Sequence, residues 1–247
     1  VHTYGFPVDM DPVMELAKKH NLKVIEDAAE MHGQTYKGRP CGSFGDISTF
    51  SFYPNKHITT GEGGMVVVDD DKLNERCLLL RNLAFTPRRF VHEELGWNMR
   101  ISNMQAALGV AQLERVDQFI ANKREAGAYY TKEFQDLQDK LQLPVEKTDF
   151  ADNIYWVYPL VLKDNVKVDA KEIMSRLGKK KIGSRPFFYS MHMQPVYHKM
   201  GLFTGKESFP VSEKISERGF YIPIGTAITK EQQARVVKAL KEVMAEL

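Results

Sequence analysis

The sequence predicts an α/β fold in two parts, a larger α/β domain over residues 1–122 and a smaller α+β domain over residues 123–247. Three observations support this prediction. A helix signal is followed directly by a strand near the start of the chain. Two strand-like runs then flank a glycine-rich loop, and a long helical pattern separates them from a second set of strands and helices. Such an order of elements indicates layered α/β architecture.

The first helix and strand form an αβ unit. Asp11 followed by Pro12 is typical of a helix start, because the carboxylate can accept free backbone N–H groups and proline suits the first turn. The segment "KKHN" ends this helix, and "LKVIE" then predicts a strand. Asp27 lies at the carboxyl end of that strand, the edge at which open α/β sheets bind their ligands.

A lysine loop lies between the next two strands. "DISTFSF" is rich in β-branched and aromatic residues, and "MVVV" predicts a buried strand that ends at the acidic turn "DDD". Lys56 lies between this aromatic run and three glycines. A lysine becomes a nucleophile when desolvation or a nearby cation lowers its pKa, so Lys56 is a candidate nucleophile. A solvated loop lysine is the alternative, and composition alone favours it, because most loop lysines are solvated.

The second half of the chain begins within a long helical pattern. Apolar residues recur at helical spacing from Ser102 and continue, with an interruption, to about Leu141, and the domain boundary is predicted near Asn122. Beyond it, "IYWVYPLVL" and "KIGSRPFFY" predict strands and "DAKEIMSRLGKK" predicts a helix. Thr229 and Gln232 have the spacing of a capping box at the start of the last helix.

Composition favours a small-molecule partner. The chain has 34 basic and 32 acidic residues mixed along its length, which is not the charge distribution of a nucleic-acid-binding protein. No apolar run reaches the roughly 18 residues that span a membrane. The two cysteines have no metal-ligand spacing, so no metal site and a reducing, cytoplasmic compartment are predicted.

Several longer segments carry a resemblance. "VIEDAAEMHG", "GSFGDISTFSFYPNKHITTGEGGMVV" and "ELGWNMRISNMQAALGVAQLERVD" resemble the sugar-nucleotide aminotransferases of the DegT/DnrJ/StrS family, most closely the perosamine synthases of O-antigen polysaccharide biosynthesis. The similarity continues through "RPFFYSMHMQP" and "YIPIG". It implies the pyridoxal phosphate (PLP) transferase fold of the aspartate aminotransferase type, with a mixed sheet in the large domain.

The resemblance also implies roles for individual residues. Lys56 matches the lysine that forms a Schiff base with PLP, and Asp27 matches the carboxylate that faces the pyridine nitrogen. Ser51 matches a phosphate-binding hydroxyl, and Glu30 matches a position near the ring hydroxyl that is often glutamine. Asn98 matches an asparagine that reaches the PLP phosphate of the partner subunit, which implies a homodimer with a shared active site.

The same resemblance implies transfer of an amino group from glutamate to a nucleotide-linked keto-sugar, with GDP-4-keto-6-deoxymannose as the expected acceptor. Arg100, Tyr189 and His192 are candidates for contact with the nucleotide sugar, from their position beside matching motifs. A related branch replaces the lysine by histidine and removes a hydroxyl group instead. Because this chain has Lys56, transamination is predicted.

Other interpretations of the sequence stay open. Asp27 could cap a turn, Ser51 could bond to backbone, Asn98 could form a turn and His192 could be an ordinary loop histidine. The family has a phosphate-binding segment before the region matched here, so the chain is expected to be N-terminally incomplete by roughly 100 residues or more. It could then be an inert fragment or interaction module. A cofactor-free Schiff-base enzyme, or a glycosidase using Asp27 and Glu62, ranks lower.

Overall fold

The computed structural model describes all residues, 1–247, and divides them into two compact units. The first unit consists of Val1–Ala121 together with Lys147–Trp156, and the second of Asn122–Glu146 together with Val157–Leu247. The sequence-based division at residue 122 assigned no later segment to the first domain, whereas residues 147–156 return to it. None of the helices is both long and apolar enough to span a membrane.

The first unit contains a small mixed sheet with helices around it. Its elements are, in chain order, α1 (Met10–His20), β1 (Ile25–Asp27), β2 (Thr35–Tyr36), β3 (Arg39–Pro40), β4 (Ile47–Ser51), β5 (Gly64–Val67), α2 (Asp71–Arg81), α3 (Asn103–Leu113) and the start of α4 (Val116–Glu133). The strand order is β1-β4-β5, with β1 parallel to β4 and β4 antiparallel to β5. The predicted mixed sheet is therefore confirmed.

Helix α1 begins two residues before the start that Asp11 and Pro12 predicted. Asp9 is its N-terminal flanking residue, and its side chain accepts a hydrogen bond from the Tyr36 hydroxyl at 2.5 Å instead of capping the helix. Asp11 lies inside the first turn and pairs with Lys37 at 2.6 Å. The carboxylate still lies at the positive end of the helix dipole, where it is stabilising.

Strand β5 differs from the sequence prediction in its environment. The run "MVVV" predicted a buried strand, yet Met65 is 52% exposed, Val66 50% and Val67 38%. The strand pairs only with β4 and forms an edge of the three-stranded sheet. The apolar content of this run therefore predicted the strand correctly, but it did not predict that the strand is exposed.

A carboxylate holds the turn that precedes β4. Glu26 on β1 accepts hydrogen bonds from the His2 ring and from the backbone N–H groups of Phe44 and Gly45, at 2.8, 2.8 and 3.0 Å. Burial acts to raise the pKa of Glu26, but these donors and the Gly42 N–H outweigh it and hold the pKa at about 2. This network fixes β4, and with it the lysine loop, relative to β1.

The second unit contains an antiparallel sheet packed with helices. Beyond α4, its elements are β6 (Leu141–Gln142), β7 (Tyr158–Leu162), α5 (Ala170–Lys179), β8 (Arg185–Pro186), α6 (Pro195–Lys199), α7 (Pro210–Arg218), β9 (Gly219–Ile222) and α8 (Lys230–Ala245). The strand order is β6-β7-β9-β8. The Thr229–Gln232 capping box at the start of α8 is confirmed.

The predicted strand "IYWVYPLVL" is shorter in the structure. It begins at Tyr158, because the preceding chain turns: Tyr155 has a φ of 48°, and its N–H donates to the Asn153 side chain at 2.7 Å. A left-handed residue cannot continue a strand. This turn leaves Trp156 in the first unit while the strand belongs to the second.

Candidate active site

The loop after β4 places the Lys56 side chain inside the first unit. Its backbone N–H donates to the Tyr53 carbonyl at 3.0 Å, and Thr60 N–H donates to the Phe52 carbonyl at 3.0 Å, so the loop is a closed turn. Only 9% of the Lys56 side chain is exposed to solvent. The amine is therefore not the solvated loop charge that composition alone favoured.

Glu30 lies beside this amine. Its Oε1 atom is 3.6 Å from Lys56 Nζ, and its Oε2 atom accepts the Tyr4 N–H at 2.6 Å. The Glu30 side chain is 8% exposed. The pair thus combines a near-buried amine with a near-buried carboxyl group at ion-pair distance.

Burial changes the acidity of both partners. Burial lowers the pKa of Lys56, and the charges of Glu30 and Asp27 oppose this shift without cancelling it. Burial raises the pKa of Glu30 despite the Tyr4 N–H and the nearby Lys56 charge, and Asp27 adds to the rise. Since the two pKa values move toward each other, a proton can pass between Nζ and the carboxyl group at a smaller cost than in water.

Asp27 ends β1 next to the same loop. It is paired with Thr49 of the parallel strand β4, so its side chain stands at the edge of the sheet from which the lysine loop leaves. Ala29 N–H donates to its Oδ1 atom at 3.0 Å, as expected of a turn-capping carboxylate. Its Oδ2 atom accepts no hydrogen bond in the structure, and this oxygen is available to a ligand.

His32 is a site residue that the sequence analysis missed. The ring is 5% exposed, neither nitrogen has a hydrogen-bond partner, and it lies between Phe50 and Phe52 with centroid distances of 5.7 and 5.8 Å. Burial and the Lys56 charge lower the pKa of His32 to about 4, with the Ser51 backbone acting weakly against them. His32 is therefore neutral at pH 7, and its two ring nitrogens are buried without a hydrogen-bond partner.

Trp156 is the second missed residue, and it is 100 positions further along the chain than Lys56. Lys56 Nζ lies 4.2 Å from the centroid of a Trp156 ring, and the indole N–H donates to the Asn55 carbonyl at 2.9 Å. The spacing of residues offered no signal for this contact. Only the return of residues 147–156 to the first unit brings it about.

The other residues proposed for cofactor binding are less closely associated with the amine. Ser51 Oγ accepts the Tyr53 N–H at 3.3 Å, which is the local backbone bond considered as its alternative role. Asn98 is exposed, and its Oδ1 atom accepts a hydrogen bond from Arg100 at 2.9 Å. Arg100 also donates to Asn82 at 3.0 Å. Asn98 and Arg100 thus form one exposed cluster that does not contact Lys56.

Tyr189 and His192 belong to the second unit. Tyr189 is 50% exposed, while His192 is buried, bonded through Nε2 to Glu213 at 2.9 Å and packed edge-on against Phe209. The partner of His192 is thus a carboxylate and not backbone. Contact of either residue with a sugar substrate stays a prediction.

The donor set suits an aldehyde cofactor with a protonated ring nitrogen better than a metal. No group of three or more His, Cys, Asp or Glu residues could hold a metal ion. A near-buried amine of lowered pKa, an Asp27 oxygen without a partner and the unpartnered His32 ring instead leave groups for an organic ligand to satisfy. The residues present therefore fit PLP.

Comparison with known proteins agrees with this chemistry. The model of the DegT/DnrJ/EryC1/StrS aminotransferase family matches residues 1–241. The GDP-perosamine synthase of Escherichia coli O157:H7 is 40% identical over 243 residues, which cover 98% of this chain and 64% of that protein. The GDP-perosamine synthase of Caulobacter vibrioides is 38% identical over 246 residues, covering 99% of this chain and 65% of that protein.

Solved structures show the same fold. The crystal structure of Streptomyces venezuelae DesV in complex with a ketimine intermediate has a TM-score of 0.87 at 32% identity, covering 100% of this chain and 64% of that one. Helicobacter pylori PseC, at 23% identity, has a TM-score of 0.92 over 99% of this chain and 66% of its own, and this similarity concerns the fold alone. The predicted aminotransferase fold is confirmed. The chain spans 64–65% of the length of the perosamine synthases named above.

Proposed function

Because the chain belongs to the DegT/DnrJ/EryC1/StrS aminotransferase family, we propose that it carries the catalytic lysine of a PLP-dependent sugar-nucleotide aminotransferase. Aminotransferases of this family use PLP. One observation supports the proposal above all: Lys56 Nζ is nearly buried, has a lowered pKa and lies 3.6 Å from a carboxyl group whose pKa is raised. A solvated surface lysine has none of these properties.

In this proposal the residues of the first unit divide the work of holding the cofactor. Lys56 would hold it covalently, and Asp27 would hold its protonated ring nitrogen with the Oδ2 atom that has no other partner. Glu30 would lie near the ring hydroxyl and Ser51 near the phosphate. Asn98 would reach the phosphate in the partner subunit of a homodimer, a role that agrees with its exposure.

When bound, PLP would supply an electrophilic carbon for an amine and a ring that accepts the electron pair left on the substrate carbon when that carbon loses a proton. The chain itself must supply proton transfers. Lys56 must lose a proton before its Nζ can form a bond, and Glu30 Oε1 is the carboxyl oxygen placed to receive that proton. The neutral Lys56 amine would take a proton from the substrate carbon at Nζ and would later give that proton up from the same atom.

The acceptor is proposed to be a GDP-linked keto-sugar, GDP-4-keto-6-deoxymannose, with glutamate as the amino donor. Relatives at 36–40% identity carry the name GDP-perosamine synthase, and this similarity supports the choice of sugar and nucleotide. Arg100, Tyr189 and His192 are proposed contacts of the nucleotide sugar. The reaction is proposed to take place in the cytoplasm and to follow ping-pong kinetics, since the two substrates react in turn.

Covalent attachment of PLP tests this proposal. The 247-residue chain is incubated with PLP, reduced with borohydride and examined by intact mass and peptide mapping, with K56R as the charge-matched control. We expect one adduct, on Lys56, in the wild-type chain and none at that position in K56R. Adducts scattered over exposed lysines, or no adduct, would support the alternative of an inert fragment or interaction module.

Substrate identity needs a separate measurement. A chain that attaches PLP at Lys56 is given glutamate and GDP-4-keto-6-deoxymannose, and the amino-sugar product is identified by mass. Related keto-sugars linked to other nucleotides serve as controls. Amination of one of these, but not of the GDP-linked 4-keto sugar, would overturn the perosamine assignment while leaving the aminotransferase proposal intact.

A further inference from the structure

Trp156 contacts the lysine loop through two different parts of its side chain. The indole N–H donates to the carbonyl of Asn55 at 2.9 Å, and a ring face lies 4.2 Å from Lys56 Nζ. Trp156 itself is 5% exposed. One side chain thus restrains both the backbone immediately before Lys56 and the amine at the end of its side chain.

A turn at Tyr4 and Gly5 supports this arrangement from behind. The Tyr4 and Trp156 rings stack at 6.0 Å with an interplanar angle of 15°, and the Tyr4 N–H donates to Glu30 at 2.6 Å. Gly5 has a φ of 91°, and a Cβ atom there would lie 2.5 Å from the backbone nitrogen of Trp156. The chain therefore needs glycine at this position. The two side chains that contact the Lys56 amine, Glu30 and Trp156, both depend on this turn.

The groups that face the amine do not have the same effect on its charge. Glu30 and Asp27 favour the protonated form, burial disfavours it, and His32 is neutral and contributes no opposing charge at pH 7. An aromatic face within about 6 Å attracts a cation through the negative charge above its ring, and tryptophan does so best. The Trp156 ring is thus a stabilising contact of the amine that carries no charge of its own.

We propose that Trp156 is a positioning residue for Lys56. The Trp156 ring face holds the protonated amine beside Glu30, and the indole N–H fixes the loop at Asn55. The inference rests on the proposed function of Lys56 as the reactive amine. It adds that Trp156 helps to set the pH at which this amine becomes nucleophilic. It also gives Trp156 a role in orienting the amine that does not require any contact with substrate.

The test measures the reactivity of Lys56 without cofactor. The full chain is labelled with acetic anhydride over a range of pH values, and the rate at Lys56 is followed by peptide mass spectrometry in the wild type, W156L, W156F and W97F. Trp97 is the other tryptophan of the chain and is 54% exposed, so W97F controls for loss of an indole. Hydrogen exchange of the amides of residues 53–57 reports on the loop, and circular dichroism on folding.

We expect W156L to label Lys56 roughly twofold to tenfold faster than the wild type at pH 7, because loss of the ring lowers the stability of the protonated amine. W156F keeps an aromatic face but loses the N–H. It should show a smaller increase in labelling, with faster exchange at residues 55–57. W97F should match the wild type in both measurements.

An unchanged or slower labelling rate in a folded W156L would overturn the proposal. A faster rate whose pH profile is not displaced toward lower pH would also overturn it, since greater access of the reagent raises the rate without moving the profile. If W156L does not fold, the test rests on W156F. A W156F chain with the wild-type rates of Lys56 labelling and of amide exchange at residues 55–57 would overturn the proposal. Failure of PLP to attach to Lys56 is a separate result, because it would contradict the proposed function while the cofactor-free labelling stays interpretable.

Discussion

Replacement of Glu30 by glutamine tests the charge coupling at the centre of the candidate site. E30Q removes the negative charge nearest to the Lys56 amine, while the amide oxygen of glutamine can still accept the Tyr4 N–H that Glu30 accepts at 2.6 Å. The side chain keeps its size and its backbone contact. The substitution therefore isolates the charge of the carboxylate from its packing.

The structure gives the expected magnitude. At the 3.6 Å separation between Glu30 Oε1 and Lys56 Nζ, Coulomb's law gives about 1 kcal/mol at the dielectric of water and about 5 kcal/mol at an effective protein dielectric near 20. The lower value is sufficient for a clear result. If the protonated amine is destabilised by about 1 kcal/mol, the neutral fraction of Lys56 rises roughly fivefold at any pH well below its pKa.

Labelling of Lys56 by acetic anhydride measures this neutral fraction. We expect E30Q to label Lys56 at least about fivefold faster than the wild type at pH 7, with the pH profile displaced toward lower pH. E62Q removes an acidic charge from the same loop region without changing a Lys56 contact, and it should leave the rate unchanged. If the E30Q profile overlays that of the wild type, Glu30 does not hold the Lys56 proton and the proposed transfer between them is wrong.

Three further predictions concern stability. Glu26 has a folded pKa of about 2 against an ordinary value of 4.5, so E26Q should lose about 3 kcal/mol of unfolding free energy at pH 7; the difference from wild type should narrow below pH 4.5 and vanish near pH 2, as measured by urea titration. Burial lowers the pKa of Lys123 to about 7 from 10.5, so the unfolded chain binds more protons between these values. The thermal stability of the wild type should therefore rise with pH in that window relative to K123M, by up to about 1.4 kcal/mol per pH unit, and parallel curves would contradict the shift. Gly5 and Gly38 have similar φ values of 91° and 80°, but only at Gly5 would a Cβ meet backbone atoms; G5A should therefore be about 1–3 kcal/mol less stable than G38A in the same denaturation assay, and equal losses would show that the space around Gly5 relaxes.

Local signals in the sequence predicted much of the fold. The capping residues Thr229 and Gln232 act within one helical turn, so they determine the start of α8 wherever it packs. Asp27 and Lys56 could be associated because parallel pairing of β1 with β4 joins the ends of two neighbouring strands, a common arrangement in α/β proteins. The roles of Glu30, Ser51 and Asn98 came from resemblance and stay predictions.

Features that depend on distant contacts could not be predicted in this way. His32 lies two residues after Glu30, yet its unpaired nitrogens follow from packing between Phe50 and Phe52, which composition does not reveal. The exposure of β5 likewise depends on what packs against the sheet and not on its own apolar residues. The contact between Trp156 and the lysine loop needs a left-handed turn at Tyr155 that interrupts a strand-like sequence.

The return of residues 147–156 to the first unit has a consequence for synthesis on the ribosome. Asn55 and Trp156 are separated by 101 residues, so the indole that packs against the lysine loop is translated roughly 5–20 s after it. During that interval the Lys56 amine lacks the Trp156 ring face, and the lysine loop lacks the hydrogen bond that the indole donates to Asn55. The surroundings of Lys56 are therefore complete only after residues 122–146 of the second unit have been made.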